Sequence, residues 1–438
     1  MGIESRHPEY DNIQPKWQRC RDTFEGEDAV KKRGEQYLPK LSKQDDDSYQ
    51  AYKTRATFFN AVNLTISGLV GAVLRLDAKI EAPAKLESLF NDITNTGVSL
   101  SDFIEGMLTE QLLMGRQGVL IDHDGTRPYL TGYTTEQVTN WLEDAIILQE
   151  SYRAIDPKDH YKSEFKTQYR ELVMEEGRFI VRIWRKGKKD WEVVADITPV
   201  NKGVELSNIP FIAVSQDGAN LTPMTPPLLA LADMSLSHYR TSADLEHGRH
   251  FTALPTPYVT GGETDSELVI GSGTAWILPD TQSKAGYLEF TGQGLRALEV
   301  AMEEKRSMMA ALGAQLLEGQ KKGIEAAEAV RLRQNAESST LASTVKRVEQ
   351  AVQQMLTQMA EWMGVTDDIT VELNTDFVDV KLTPQEVTAL MQTWQSGGVS
   401  HDTFLWNLQR GEMLPPNISI EDERSRVEVQ TVGGFDED

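Results

Sequence analysis

The sequence predicts a helix-rich α+β protein, and three observations carry that expectation. Residues 165–215 alternate apolar and polar side chains as strands do, for example Phe179-Ile180-Val181-Arg182-Ile183-Trp184. Two helical runs, from Leu228 to about His250 and from Leu295 to Leu316, bracket a glycine-punctuated stretch. Beyond them, Ile324 to Met363 is a run without glycine or proline. As one helix of about 1.5 Å rise per residue it would be roughly 60 Å long.

In chain order, the first thirty-odd residues are polar and charged, broken by Pro8 and Pro15, and read as an arm with short helical pieces. Between Tyr49 and Arg75 the residues Phe58, Phe59, Val62, Ile66, Leu69, Val70 and Val73 recur at near-helical spacing. Ser99 is placed to cap a helix whose first turn carries Asp102; Leu100 to Met114 form its body and Gly115 ends it. Gly118-Val119-Leu120-Ile121-Asp122 reads as a buried strand that enters an Asp124-Gly125 turn. Trp191-Glu192-Val193-Val194 lies across a Lys/Gly turn from the preceding strand. The first half is therefore a mixed α+β domain.

The second half is built differently. Thr225 with Pro226 and Pro227 makes a sharp helix start, because proline is tolerated where the first-turn N–H groups are free. The helix that follows would be roughly 35 Å long, with Gly248 as a late weak point and Pro255 and Pro257 as stops. Short strands punctuated by Gly261, Gly262, Gly271, Gly273, Gly286 and Gly292 come next. The second helix has an apolar stripe of Leu295, Leu298, Met302, Met309, Leu312 and Leu316, interrupted by Lys305. In the long helical run the stripe Leu341, Val345, Val348, Val352, Met355, Met359 and Met363 marks the C-terminal half. The N-terminal half is rich in Ala, Ser, Thr and Asn, and is less able to bury itself within its own subunit. Asp368 to Lys381 reads as one or two strands, and Thr383-Pro384-Gln385-Glu386 as a capping-box start. Two short helices, separated by Gly397-Gly398, lead to an acidic tail.

The formal net charge is −23, and an acidic surface repels phosphate, which argues against a tight counterion-releasing nucleic-acid binder. A bore through which DNA must slide is a different case, since adhesion would hinder it; charge alone does not separate that from an ordinary soluble cytosolic protein, and by itself favours the latter. The single cysteine, Cys20, excludes intrachain disulfides and multi-cysteine zinc sites and fits a reducing compartment. With no long apolar run and no apolar core after a basic patch near Met1, neither a membrane span nor a secretory signal is expected.

No catalytic constellation emerges. A phosphate-cradling loop ending in Lys and Ser/Thr is absent, and Gly271 and Gly273 lead to Thr274 and Trp276 instead of a third glycine opening a helix. Neither a Gly-x-Ser-x-Gly elbow nor a His-Glu-x-x-His helix occurs. Asp122-His123-Asp124 reads as a polar turn ending a strand, and His247 and His250 as structural histidines without a third ligand nearby. Glu303-Glu304-Lys305-Arg306 reads as a solvated or intersubunit salt-bridging helix face. Lys321-Lys322 is a small basic island between helices. No enzyme activity, metal or cofactor is expected.

The order of α+β domain, long helix, small β module, long helix, polar loop, very long helix and terminal helices resembles tailed-bacteriophage portal proteins. Local wording agrees: Tyr37-Leu38-Pro39-Lys40-Leu41, the Tyr49/Tyr52 stretch ending Phe58-Phe59-Asn60, and Gly68-Leu69-Val70-Gly71. So do Ile209-Pro210-Phe211, His238-Tyr239-Arg240, Leu254-Pro255-Thr256-Pro257 and Ala311-Leu312-Gly313-Ala314. The resemblance covers roughly residues 35 to 410. It implies a portal fold with wing, stem, clip and crown regions, assembled as a ring of typically twelve subunits at a unique capsid vertex.

On that resemblance residues 1–224 form an N-terminal arm and wing, 225–253 the first stem helix, 254–293 the clip and 294–316 the second stem helix. Residues 317–325 form a tunnel loop, 326–382 the long wing helix and strands, and 383–438 the crown and acidic tail. Glu318, Gln320, Lys321 and Lys322 would then face DNA, the lysines as weak, salt-screened phosphate contacts. Glu263, Asp265, Glu267, Asp280 and Lys284 would lie on the clip, facing the terminase motor and the tail adaptor. The implied partners are copies of the chain itself, the major capsid protein, the terminase large subunit, the tail adaptor and double-stranded DNA in transit, with no membrane. The implied location is the virion's portal vertex, and the host cytoplasm during assembly. Another head–tail structural protein, an adaptor or a scaffold, is the first alternative. Length argues against the adaptor and the large α+β domain against the scaffold. An intracellular hydrolase with an unrecognised site is the second.

Overall fold

The computed structural model describes residues 2–156, 158–216, 220–252, 256–261, 282–288, 293–314, 340–375, 377, 384–410, 413–414 and 420–432. Helices and strands are mixed along the chain. It opens with α1 (Pro8–Glu25), α2 (Glu27–Lys32), α3 (Asp46–Arg55) and α4 (Ala61–Val73), then β1 (Lys79–Glu81), α5 (Ala84–Glu87) and α6 (Leu100–Met114). A strand-rich stretch follows: β2 (Arg116–His123), β3 (Pro128–Tyr133), β4 (Val138–Trp141), β5 (Ala145–Asp156), β6 (Asp159–Glu175) and β7 (Arg178–Lys186). It continues with β8 (Trp191–Ile197), β9 (Val200–Asn201), β10 (Val204–Glu205) and β11 (Phe211–Ser215). After these come α7 (Leu229–Thr252), β12 (Thr256–Thr260), β13 (Lys284–Leu288), α8 (Gln293–Ala314) and α9 (Thr340–Met363). The chain closes with β14 (Thr370–Glu372), α10 (Pro384–Gln395), α11 (His401–Arg410) and α12 (Ile420–Val432).

These elements form two compact units that interleave in sequence. The first comprises Met1–Gly68, Thr109–Gly125 and Leu130–Leu316; the second comprises Leu69–Leu108, Thr126–Tyr129 and Leu317–Asp438.

Two larger sheets organise the first unit beside the small β9–β10 and β12–β13 pairs. Strands β4-β5-β6-β7-β8 run in sequential order, and β2 is central in a sheet ordered β11-β2-β3. Leu120, Tyr133, Val138, Leu148, Leu172, Phe179 and Val181 meet in one buried cluster that joins them. Gly118 on β2 lies beneath the Phe211 ring, where any Cβ would collide with the aromatic carbons. A second buried cluster is helical: Val30, Tyr37, Leu38, Tyr49, Tyr52 and Ala56 pack against Leu236, Tyr239 and Ala243 of α7.

The expectation of an N-terminal arm with short helical pieces needs correcting: α1 is a single 18-residue helix despite the interior Pro15. Tyr10, Trp17 and Cys20 are buried along it. These three, seven and three positions apart, give one narrow apolar stripe amid polar residues. The helical spacing read between Tyr49 and Arg75 is divided between α3 and α4. The break is chemical: the Asn60 side chain accepts from Asn63 N at 3.1 Å, capping α4, and Thr57 N donates to Ser242 Oγ at 3.0 Å.

In the second unit α9 buries Leu341, Val345, Val348, Val352, Met355 and Met359 of the stripe read from the sequence, while Met363 at its end is half-buried. Glu349 on this helix accepts from Leu373 N at 2.8 Å, and Gln353 donates to Ile369 O at 3.0 Å, holding the chain beside β14. Strand β14 pairs antiparallel with β1, Val371 opposite Ile80. The first half of the expected long helix, residues 324–339, lies outside the described residues, as does Thr383 of the expected capping box. Trp394 of α10 stacks on Phe404 of α11, with ring centroids 4.8 Å apart and an interplanar angle of 14°.

Candidate channel and docking elements

The α7–α8 pair of the first unit is where the sequence reading places its central geometry. Helix α7 buries Leu231, Ala232, Ser235, Leu236, Tyr239, Ala243 and Leu245, while Ala230, Asp233, Arg240 and Asp244 are exposed along one face. Polar ties fix it to its neighbours. Arg19 of α1 pairs with Asp233 at 2.7 Å, Tyr52 of α3 donates to Asp244 at 2.6 Å, and Arg240 Nε donates to Tyr37 O at 3.0 Å.

Helix α8 lies along α7 in the opposite direction. Successive contacts show this: Gly248 meets Leu295, Arg249 pairs with Glu299 at 2.9 Å, Lys305 reaches Ser237 and Thr241, and Met309 Sδ accepts from Ser235 Oγ at 3.4 Å. A Cβ at Gly248 would stand 2.6 Å from Leu295 Cδ2, so this glycine marks close helix approach. Unlike α7, α8 exposes most of its surface, and only Met309 among its described residues is fully buried. Lys305, expected within a solvated charged run, instead turns inward and donates from Nζ to Ser237 O at 3.1 Å and Thr241 Oγ1 at 2.5 Å. Burial, reinforced by the nearby Arg240 cation, pushes its pKa down.

Strands β12 and β13, which connect these helices, pair antiparallel from Thr256↔Leu288 to Thr260↔Lys284. Tyr258 and Tyr287 are exposed on this ribbon. Of the expected clip residues, Lys284 begins β13 with an exposed side chain. Glu263, Asp265, Glu267 and Asp280 lie outside the described residues, and so do Glu318, Gln320, Lys321 and Lys322.

The residues screened for chemistry take structural roles. Asp122 pairs with Arg170 at 2.9 Å, and His123 Nδ1 accepts from Gly125 N at 2.9 Å, closing a polar turn. His247 packs edge-on against Tyr52 and Phe251, while Arg55 Nη2 donates to His250 Nε2 at 3.1 Å. Among the described residues no three His, Cys, Asp or Glu side chains converge as metal ligands, and no helix is long and apolar enough to cross a membrane.

Sequence reasoning missed a buried ionic centre in the first unit. Arg21 Nη2 donates to both carboxylate oxygens of Glu110 at 2.9 Å and to Glu136 Oε2 at 2.9 Å. Burial raises the Glu110 pKa in spite of Arg21, and the Glu136 charge adds to the rise. Arg116 is fully buried, its guanidinium 4.4 Å from the Trp141 ring centroid and 5.6 Å from that of Trp17. Desolvation pushes it down to about 10. His7 stacks on Trp141 at 4.1 Å. Segments remote in sequence supply these groups, so no local motif announces them.

A family model described as a domain of unknown function, DUF4055, matches residues 227–363, the stretch that holds α7, β12, β13, α8 and α9. No curated protein matches. Among solved structures the chain is similar to a chain in the neck of an empty gene transfer agent particle computed with C6 symmetry. That match has 12% identity and a TM-score of 0.42, covering 81% of this chain and 90% of the other. A chain in the virion of the native gene transfer agent particle matches at 13% identity and TM-score 0.42, over 86% and 95% of the two chains. A chain in the neck of the native particle computed with C12 symmetry matches at 11% identity and TM-score 0.43, over 86% and 98%.

Proposed function

We propose that this chain is the portal subunit of a phage-like particle, one of a ring of probe-like stems around a channel for double-stranded DNA. The observation that carries the reading is the α7–α8 pair: two long antiparallel helices joined through the β12–β13 ribbon, one mostly buried in its own unit and the other exposed along most of its length. An exposed 22-residue helix tied down on one side is suited to line a channel or meet a neighbouring copy. In this reading α7 and α8 are the stem, residues 254–293 the clip that meets terminase and tail adaptor, and 317–325 the tunnel loop. Residues 326–382 belong to the wing and 383–438 to the crown. Lys321 and Lys322 steady the DNA weakly, because a few lysines in an acidic subunit give a shallow, salt-screened attraction. The ring has twelve copies, sits at one capsid vertex beside the major capsid protein, and performs no catalysis.

Gold-labelled antibody against the chain, applied to particles from the cells that make it, tests this placement. The expected image is one label cluster per head, at the tail-bearing vertex. Label spread evenly over the shell, or particles lacking the chain altogether, overturns the proposal.

A further inference from the structure

One imidazole on α7 lies beside α8 without a hydrogen-bond partner. His238 is 2% exposed, and among the described residues neither Nδ1 nor Nε2 is bonded. Buried polar side chains are nearly always hydrogen-bonded, and one left out bears the full cost of its lost hydration. A neutral imidazole keeps that cost small. A protonated one would bring a whole charge and two N–H donors to the same place.

The charges that act on the ring are cations, and both belong to α8. Lys305 Nζ donates to Ser237 O and Thr241 Oγ1, groups that flank His238 on α7. The Arg306 guanidinium stands 5.8 Å from the Phe59 ring centroid, and that ring lies 6.1 Å from the His238 ring. Phe59 is uncharged, and Glu27, which accepts from the neighbouring Phe58 N, pairs with Lys31 at 2.6 Å. On α7 itself Asp233 pairs with Arg19, Asp244 accepts from Tyr52, and Glu246 pairs with Arg249. On α8 Glu299 pairs with Arg249 and Glu303 with Arg306, while Glu304 is exposed. Burial, with Arg306 and Lys305 adding to it, pushes the His238 pKa below the ordinary 6.5.

The two helices are held unequally. Helix α7 packs Leu236, Tyr239 and Ala243 into a buried cluster and is tied to α1, α3 and Tyr37. Helix α8 exposes most of its surface and leans on α7 through Glu299, Lys305 and Met309. A repulsion between the two therefore displaces α8.

We propose that His238 makes the helix pair acid-sensitive: a proton on its imidazole parts α8 from α7, while α7 stays seated in its unit. With that proton His238, Lys305 and Arg306 form a row of three cations, and none of the carboxylates named above is bonded to the ring. The closed pair binds the proton less tightly than the opened one. Its stability is therefore complete above pH 6.5 and falls as pH drops below that value. Ordinary carboxylates stay ionised down to about pH 5, so the ion pairs of the two helices persist through this window. The joint lies within one subunit and stands whether or not the chain forms rings.

Hydrogen exchange on the full-length chain at pH 7.5 and pH 5.5, corrected for intrinsic rates, tests it. Amides from Glu303 to Leu312 should open about three- to tenfold more often at pH 5.5, the upper figure being the limit for an imidazole of ordinary pKa once exposed. Amides from Leu231 to Ala243 should not change. His238→Phe, which keeps a ring and loses the titration, should abolish the difference. Arg306→Gln, which keeps the imidazole and removes one cation, should reduce it, and this variant decides the matter if His238→Phe does not fold. Equal opening at both pH values in the wild type overturns the proposal, as does α7 opening together with α8. An undiminished response in His238→Phe assigns the effect to His247 or His250 and overturns it too. A response in Arg306→Gln equal to wild type removes the charge repulsion on which it stands.

Discussion

Glu110 is the residue whose chemistry is most exposed to test. Its carboxylate is buried beside a second one, Glu136, with the Arg21 guanidinium bonded to both, and it accepts from Thr135 N at 3.1 Å. Burial is the largest influence on its pKa and wins over the attraction of Arg21. The folded-state pKa thus stands above the ordinary 4.5, so the native protein holds this proton more tightly than the unfolded chain does. Its contribution to stability is complete below 4.5 and is lost as pH rises through the raised value. Glu110→Gln, which keeps an acceptor for Thr135 N, should therefore gain thermal stability relative to wild type as pH rises from 4.5 towards neutrality. Melting curves at several pH values check this, and a difference independent of pH contradicts it. Near this centre Arg116 shows a limit of sequence reading. Its aromatic neighbours Trp17 and Trp141 come from α1 and β4, and nothing local at Arg116 marks it as a buried cation. Local chemistry was legible: Ser99 Oγ accepts from Asp102 N at 3.1 Å, and Gly115 ends α6 with φ 72°, as their types and spacing predicted.

At the scale of elements, the helix pair is held by few polar ties, and Lys305 is the most informative. Apolar spacing on α8 identified the stripe but left Lys305 as an interruption, because periodicity records position and not which polar group waits on the facing helix. The facing groups are Ser237 O and Thr241 Oγ1 of α7. Lys305→Ala removes both hydrogen bonds and the covering stem, and should cost about 1–2 kcal/mol. Urea denaturation should show a lower midpoint with an unchanged slope. A midpoint equal to wild type contradicts the assigned tie. The same distinction explains where element boundaries moved. The apolar spacing between Tyr49 and Arg75 was read correctly, but Asn60 caps a new helix and Thr57 is held by Ser242 of α7, so one run became two helices. The expected N-terminal arm became α1 because its few apolar residues share one face and are covered by the rest of the first unit.

At the scale of the molecule, the α+β class was legible because strand alternation and long glycine-free runs are strong periodic signals. The sheet's outlying ribbon was not, since the alternation read from the sequence begins at residue 165 and only the register shows that, among the described residues, no third strand flanks Ser151–Asp156 and Asp159–Thr167. The surface that α8 leaves open in a single copy is what an assembly of identical subunits would cover. Electron microscopy of the purified chain in negative stain tests the central claim most directly. The account predicts end-on rings with a central hole, of one discrete subunit number. Globular monomers or dimers, with no annular views at any concentration that keeps the chain in solution, would contradict it.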